Sequence, residues 1–171
     1  IMAFKFGAGG GAGGNAITEG STISALYTLG GSGQLVVNNN TQAKVNFDTL
    51  VIDTNSAVSN ASTDWVFTAP EDGIYIIHTS LRWDNDTNIN GAEEFFDTVL
   101  VDGVNTLQRR YVPNFSGGGT AQEFTEILSG PLNLTAGDEV YLATQHDSSG
   151  NKTIRPFANQ SYIYIYKIPG T

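Results

Sequence analysis

The densest group of side chains able to do chemistry is Asp84-Asn85-Asp86-Thr87-Asn88-Ile89-Asn90-Gly91, followed by Glu93 and Glu94. Alternating oxygen donors suit a hard cation, so the stretch is a candidate calcium loop with Asp84, Asp86 and Asn88 as ligands. It does not follow the helix-loop-helix calcium pattern. Ile89 stands at the sixth position, where that pattern requires glycine, and Phe95 stands at the twelfth in place of glutamate. The competing reading is a solvated loop whose Asn and Asp side chains serve the turn itself. Two histidines complete the reactive inventory. His78 falls on the half-polar side of an apolar segment, where a structural histidine is the expectation. His146 stands in Gln145-His146-Asp147-Ser148-Ser149-Gly150, which reads as a loop carrying an acid and two serines. A Ser-His-Asp array needs convergence in space, and neighbours in one loop seldom align, so no catalytic residue is assigned. Gly9, Gly11 and Gly14 satisfy G-x-G-x-x-G, but no strand precedes them and no Lys-Ser/Thr pair follows. That is too little for a nucleotide loop.

Charge and composition narrow the classes further. The 171 residues carry 17 acids against 8 bases, a formal charge of -9 that repels a phosphate backbone and an anionic membrane surface alike. Nucleic acid is therefore not an expected partner. The absence of cysteine removes disulfides, thiol catalysis and thiolate metal sites together. No run of 18 apolar residues occurs, so no membrane-inserted helix is expected, and residues 1–6 lack the apolar stretch of a signal peptide. Nine Phe, seven Tyr and two Trp are enough for a packed core, and burial inside it is the expectation for Trp65 and Trp83. Paired carboxylates for glycan hydrolysis have no positive signal beyond the number of acids. Seven Asn-x-Ser/Thr sequons, at Asn39, Asn60, Asn85, Asn114, Asn133, Asn151 and Asn159, are read as chance in a chain this rich in Asn, Ser and Thr.

The elements that must position these groups are an arm and one all-strand domain. Residues 7–14 read GAGGGAGG, a slack tether behind Phe4 and Phe6. We divide the chain into a flexible glycine-rich arm over 1–20 and a head over 21–171. Phe4 and Phe6 are the expected anchor that docks into a larger assembly. Strands are expected over 25–29, 35–37, 44–51, 65–68, 73–83, 95–101, 104–111, 122–128, 139–145 and 161–168, and 91–96 is the only helix candidate. Asp102-Gly103 marks a tight hairpin. In 73–83 the odd positions Tyr75, Ile77, Thr79, Leu81 and Trp83 form one apolar face, and Ile74 and Ile76 make the other face apolar at one end. The last strand alternates Tyr162, Tyr164 and Tyr166 with Ile163, Ile165 and Lys167. Strands apolar on both faces are buried on both, which in a two-sheet protein points to a partner subunit over the second face. Ile74, Ile76, Tyr162, Tyr164 and Tyr166 are the expected interface residues; an ordinary aromatic core face is the alternative for the tyrosines.

Four stretches in order resemble the globular head of complement subcomponent C-one-q and its tumour-necrosis-factor-like relatives. They are Ala25-Leu26-Tyr27, residues 44–50 (KVNFDTL), residues 67–75 (FTAPEDGIY) and residues 132–142 (LNLTAGDEVYL). The third is the most specific, with Pro70 and Gly73 shaping a tight turn between Phe67 and Tyr75. The resemblance spans roughly 24–168. It implies a ten-stranded, two-sheet antiparallel jelly-roll sandwich that trimerises through its inner sheet and binds ligands by loops rather than catalysing a reaction. Calcium near the trimer apex also occurs in such proteins. One departure is Tyr164, near the place where the family usually carries glycine.

The expectation is a non-enzymatic homotrimeric structural and adhesive protein of a virion surface: a head fibre, decoration protein or receptor-binding tip. Residues 2–14 would join it to a capsid or fibre, without any cofactor unless calcium binds. Outer loops at 38–41, 55–64, 114–120 and 147–153, rich in Asn, Ser, Thr and Gly, would meet a glycan or protein receptor. The alternative is a free or secreted lectin-like or ligand-like extracellular protein.

Overall fold

A computed structural model describes residues 23–31, 35–59, 61–84, 96–102, 105–111, 124–147, 150–157 and 159–171. The arm with Phe4 and Phe6, the 91–95 part of the helix candidate, Asp86, Asn88 and the 114–120 loop lie outside the described residues.

Thirteen strands follow one another: β1 (Ser24–Thr28), β2 (Leu35–Val37), β3 (Ala43–Lys44), β4 (Thr49–Asp53), β5 (Val58–Ser59), β6 (Val66–Thr68), β7 (Gly73–Asp84), β8 (Phe96–Asp102), β9 (Asn105–Tyr111), β10 (Phe124–Leu134), β11 (Glu139–His146), β12 (Lys152–Ile154) and β13 (Tyr162–Lys167). Among the described residues there is no helix. One seven-stranded sheet runs β2-β12-β7-β13-β1-β4, with β10 on the other edge of β7. A six-stranded sheet runs β5-β6-β11-β8-β9, with β3 also on β11. Every pairing is antiparallel. The expected all-β sandwich is therefore present.

Three expectations need correction. The strand expected over 44–51 is broken into β3 and β4, because Phe47 drops into the core with no exposure and Asp48 turns its carboxylate to the Gly30 and Gly31 amides at 2.8 and 3.1 Å. The strand expected to stop at 128 continues to Leu134 through Gly130 and Pro131. Proline lacks an amide hydrogen, and this strand tolerates it because, among the described residues, β10 pairs with β7 alone, leaving its other edge outside the ladder. Finally, His146 is not in a loop. It closes β11, is fully buried, and its Nε2 lies 2.8 Å from the Val37 carbonyl oxygen.

The core lies between the sheets and is aromatic at its centre. Trp65 packs edge-on against Tyr27 and Phe47, with ring centroids 5.9 and 5.6 Å apart. Phe67 and Tyr75 meet edge-to-face at 5.8 Å across the turn that Pro70 and Gly73 form, as the sequence predicts. Gly73 takes φ +152°, and a β-carbon there would run into Lys167 Cε. Both tryptophans are buried, as expected. On β7 the odd positions are buried without exception, and on β13 Ile163 and Ile165 are fully buried. The even positions of both strands therefore point away from the core.

Candidate functional site

Because directly opposed residues share a face, the antiparallel register assigns side chains to the outer surface of the seven-stranded sheet. One row is Pro131, Ile76, Tyr166 and Ser24. The next is Ser129, His78, Tyr164, Leu26 and Ile52. The third is Ile127, Ser80, Tyr162 and Thr28. Ile74 lies one step beyond the first row, opposite Asn133. The structure thus brings Ile74, Ile76, Tyr162, Tyr164 and Tyr166 onto a single outward face, each only half-buried. The alternative that the tyrosines line the core is set aside, since Ile163 and Ile165 do so.

No acid, Lys or Arg occurs in these three rows, although the chain carries 25 such residues. The rows are instead knitted by aromatic contacts. Tyr164 and Tyr166 rings lie 5.2 Å apart at 32°. His78 Nε2 is 3.0 Å from the Tyr162 hydroxyl. The six large apolar side chains most exposed among the described residues are Val36, Leu50, Val51, Ile52, Ile127 and Phe157. All belong to this sheet or to the loop packed on it. Sequence reasoning missed Leu26, Ile127 and Pro131, whereas it placed His78 on the outward side of its strand, where it stands. Counting parity outward from the core residue Tyr27 would have found Leu26; the others needed the register of β10.

The face changes character where β13 ends. Along one edge of β7, β13 pairs up to Ser80 and β12 takes over at Trp83. The loop from 155 to 161 fills the gap: Arg155 N donates to Arg82 O at 3.0 Å, and Arg82 N donates to Ser161 Oγ at 3.1 Å. The Ser80 hydroxyl donates to Gln160 O at 2.7 Å. An open cleft of about 450 Å³ results, lined by Ser80, Arg82, Phe124, Thr125, Gln160 and Tyr162, with Asn159 at its margin. A smaller apolar hollow of about 310 Å³ shares Asn159 and Tyr162 with it and reaches Leu26, Thr28 and Val51.

Several ionisable groups near this end of β7 are buried. Asp84 is buried and forms an ion pair with half-buried Arg155. Glu126 is buried and accepts from Trp83 Nε1 at 3.3 Å; Lys152, opposite Val37 of β2, and His146, the last residue of β11, are buried as well. Of the three expected calcium ligands, Asp84 thus already serves Arg155, and the other two lie outside the described residues. Among the described residues no three His, Asp or Glu side chains are grouped as a metal would require. Burial, and then Asp53 accepting from its hydroxyl at 3.0 Å, push the Tyr27 phenol up to about 12. Burial likewise raises Tyr75, whose hydroxyl donates to Glu71 O.

Two antiparallel sheets, with β13, β1, β7 and β10 presenting an uncharged aromatic face, define a tumour-necrosis-factor-like jelly roll. The solved structures agree. The chain is similar to Eiger TNF from S. frugiperda, with a TM-score of 0.62 and 14% identity over 86% of this chain and 93% of that one. It is also similar to murine APRIL at pH 8.5, with a TM-score of 0.57 and 9% identity over 86% of this chain and 99% of that one. The structure of murine APRIL at pH 5.0 gives a TM-score of 0.57 with 8% identity over the same shares, 86% and 99%. At these identities the likeness is one of fold. No family model matches the sequence, and no curated protein does.

Proposed function

We propose that the protein is a non-enzymatic homotrimeric adhesive module, with two further copies of the chain covering the outward aromatic face. The observation that supports this most is the uncharged patch itself. In a chain of formal charge -9, three adjacent rows without an ionised side chain are expected only where water is to be excluded. The tumour-necrosis-factor-like fold supports the same occupant, since the resemblance in sequence implies association through this sheet. The decisive measurement is absolute mass in solution by light scattering. Three times the 18.2 kDa chain is expected, and a monomer at micromolar concentration would sink the reading.

The virion role belongs to this proposal: residues 2–14 anchor the trimer to a capsid or fibre and the loops face outward. Its support is the glycine tether behind Phe4 and Phe6. Deleting 2–14 should abolish incorporation into the assembly while the trimer survives. A free extracellular ligand-like protein is the second reading, favoured by the likeness to Eiger TNF and APRIL. Under it the same deletion changes neither the oligomeric state nor receptor binding.

A further inference from the structure

We infer that His78 makes the assembly pH-sensitive: a proton on its imidazole opens the trimer in mildly acidic solution. This rests on the trimer proposed above and goes beyond it by naming the condition that undoes it. His78 stands in the middle row of the outward face, on β7, with Ser129 of β10 on one side and Tyr164 of β13 on the other. Along β7 its outward neighbours are Ile76 and Ser80. It is half-buried in the single chain, so water still reaches it, and Nε2 is 3.0 Å from the Tyr162 hydroxyl.

Among the described residues, no group on that face receives a positive charge. The three rows hold hydroxyls, phenols, aliphatic side chains and a proline, with neither an acid nor a base besides His78. Glu126 is the one acid of β10, and it lies opposite Leu81 on the core side. Asp53 of β4 lies opposite Ala25, also on the core side, and accepts from Tyr27. Lys167, at the end of β13, pairs with Glu71. The next outward position of β7 beyond Ser80 is Arg82, and the loop beside it brings Arg155, which pairs with buried Asp84. Both are cations, which disfavour another.

Histidine is the side chain whose charge ordinarily changes between pH 5 and 8. Covering the face takes the ring out of water, and an uncompensated cation costs far more to desolvate than a neutral ring. Protonation also makes both ring nitrogens donors, so the contact with the Tyr162 hydroxyl can then run in one direction only. The tilted contact between the two rings, 5.7 Å apart, lies within one chain and cancels from the association. A chain outside the trimer therefore binds a proton more readily than one inside it, and acid favours the separated chains. The rest of the chain has the opposite tendency. Its formal charge of -9 shrinks as carboxylates protonate, which weakens repulsion between copies.

The test follows the mass of the full chain by sedimentation over a dilution series at pH 7.5 and pH 5.5. It compares the parent with His78→Gln and His78→Lys, with near-ultraviolet circular dichroism to show that each sample is folded. One proton taken up per chain should raise the concentration of half-dissociation about tenfold or more in the parent between the two pH values. His78→Gln keeps a hydrogen-bonding group toward Tyr162 and should show no such rise. His78→Lys carries the charge at both pH values, and should be dissociated at pH 7.5 at concentrations where the parent is a trimer. His146 is present in all three proteins, so its own titration cancels in the comparison. Where the parent is too tight for dilution, chain exchange between isotope-labelled and unlabelled trimers, read by native mass spectrometry, should speed up about tenfold or more over the same interval. A parent trimer equally tight or tighter at pH 5.5, or a folded His78→Gln protein that responds as the parent does, would each overturn the inference and leave the trimer standing. A chain that is monomeric at pH 7.5 overturns the trimer reading and this inference with it.

Discussion

The two halves of β7 make opposite demands on their surroundings. From Gly73 to Ile77 the strand is apolar on both faces, with Tyr75 and Ile77 fully buried in the core and Ile74 and Ile76 half-buried outside. From Ser80 to Asp84 it turns polar on the outward side, with Ser80 and Arg82, and ends in a buried carboxylate. The first half is complete only when something covers its outer face. The second finds its partners inside its own chain: Arg155 for Asp84, Gln160 for Arg82, Trp83 for Glu126. Polar groups carry that requirement because leaving one buried and unpaired costs about 1–3 kcal/mol, while an apolar face tolerates water at a smaller, area-proportional cost. One strand is therefore left with an open apolar face at one end and is satisfied by its own chain at the other.

The sharpest way to break the comparison is to charge the first half. Tyr164→Asp places a carboxylate in the middle row, opposite His78 and Leu26, on the face that the proposed trimer covers. Desolvating it costs several kcal/mol, so the trimer dissociation constant should rise at least a thousandfold. Sedimentation should show monomer with an unchanged melting transition for the isolated head. A trimer that persists at micromolar concentration would mean that another surface assembles the protein. Charging the second half should do nothing of the kind. Asp84→Ala leaves Arg155 without its carboxylate and should cost about 3 kcal/mol of stability while the mass stays the same.

These two halves were unequally legible in the sequence. The apolar half declares itself by alternation: once Tyr75, Ile77 and Thr79 are assigned to the core, Ile74 and Ile76 must face out, and Tyr162, Tyr164 and Tyr166 follow the same parity. Alternation also located most strands, and Pro70 with Gly73 fixed the turn that sets Phe67 against Tyr75. The polar half was hidden because its contacts are made between residues far apart in the chain. Nothing near Asp84 in sequence announces Arg155, so its carboxylate read as a calcium ligand. His146 read as a loop residue because the Asp and Ser residues after it carry turn signals, whereas its ring is buried against Val37 O and the edge of Trp83. Strand β12 is three residues long with a lysine at its head, too short for any periodicity to show.

A smaller effect measures a polar contact that belongs to the apolar end. Tyr27 lies on β1, and its hydroxyl donates to Asp53 in a buried setting. Its acidity is displaced upward to about 12 in the folded state, against an ordinary value near 10 in the unfolded chain. Between those values the folded protein holds the proton that the unfolded chain has lost. The stability this provides is present in full below pH 10 and drains away as the pH rises through about 12. Urea unfolding between pH 9 and 11 should show that slope in the parent and a shallower one in Tyr27→Phe, which should cost about 1 kcal/mol at neutral pH. Equal slopes would place the alkaline sensitivity elsewhere.

The smallest effect sharpens the boundary between the polar half and the acidic stretch that follows it. Calcium can use Asp84 only by displacing Arg155, because one carboxylate buried in an ion pair is not at the same time open to a metal. A ligand near its dissociation constant stabilises by about 0.4 kcal/mol, which moves the melting temperature of a domain this size by one or two degrees. In the parent chain the competition with Arg155 should hold the shift from millimolar calcium to that size or below. Arg155→Gln removes this competitor, so the calcium-induced shift in this variant should exceed the parent's and be reversed by chelator. If neither protein responds, Asp84 is a structural partner of Arg155 and the calcium expectation for Asp84, Asp86 and Asn88 fails. The polar half of β7 then satisfies its charge entirely from within the chain, as the first half cannot satisfy its apolar face.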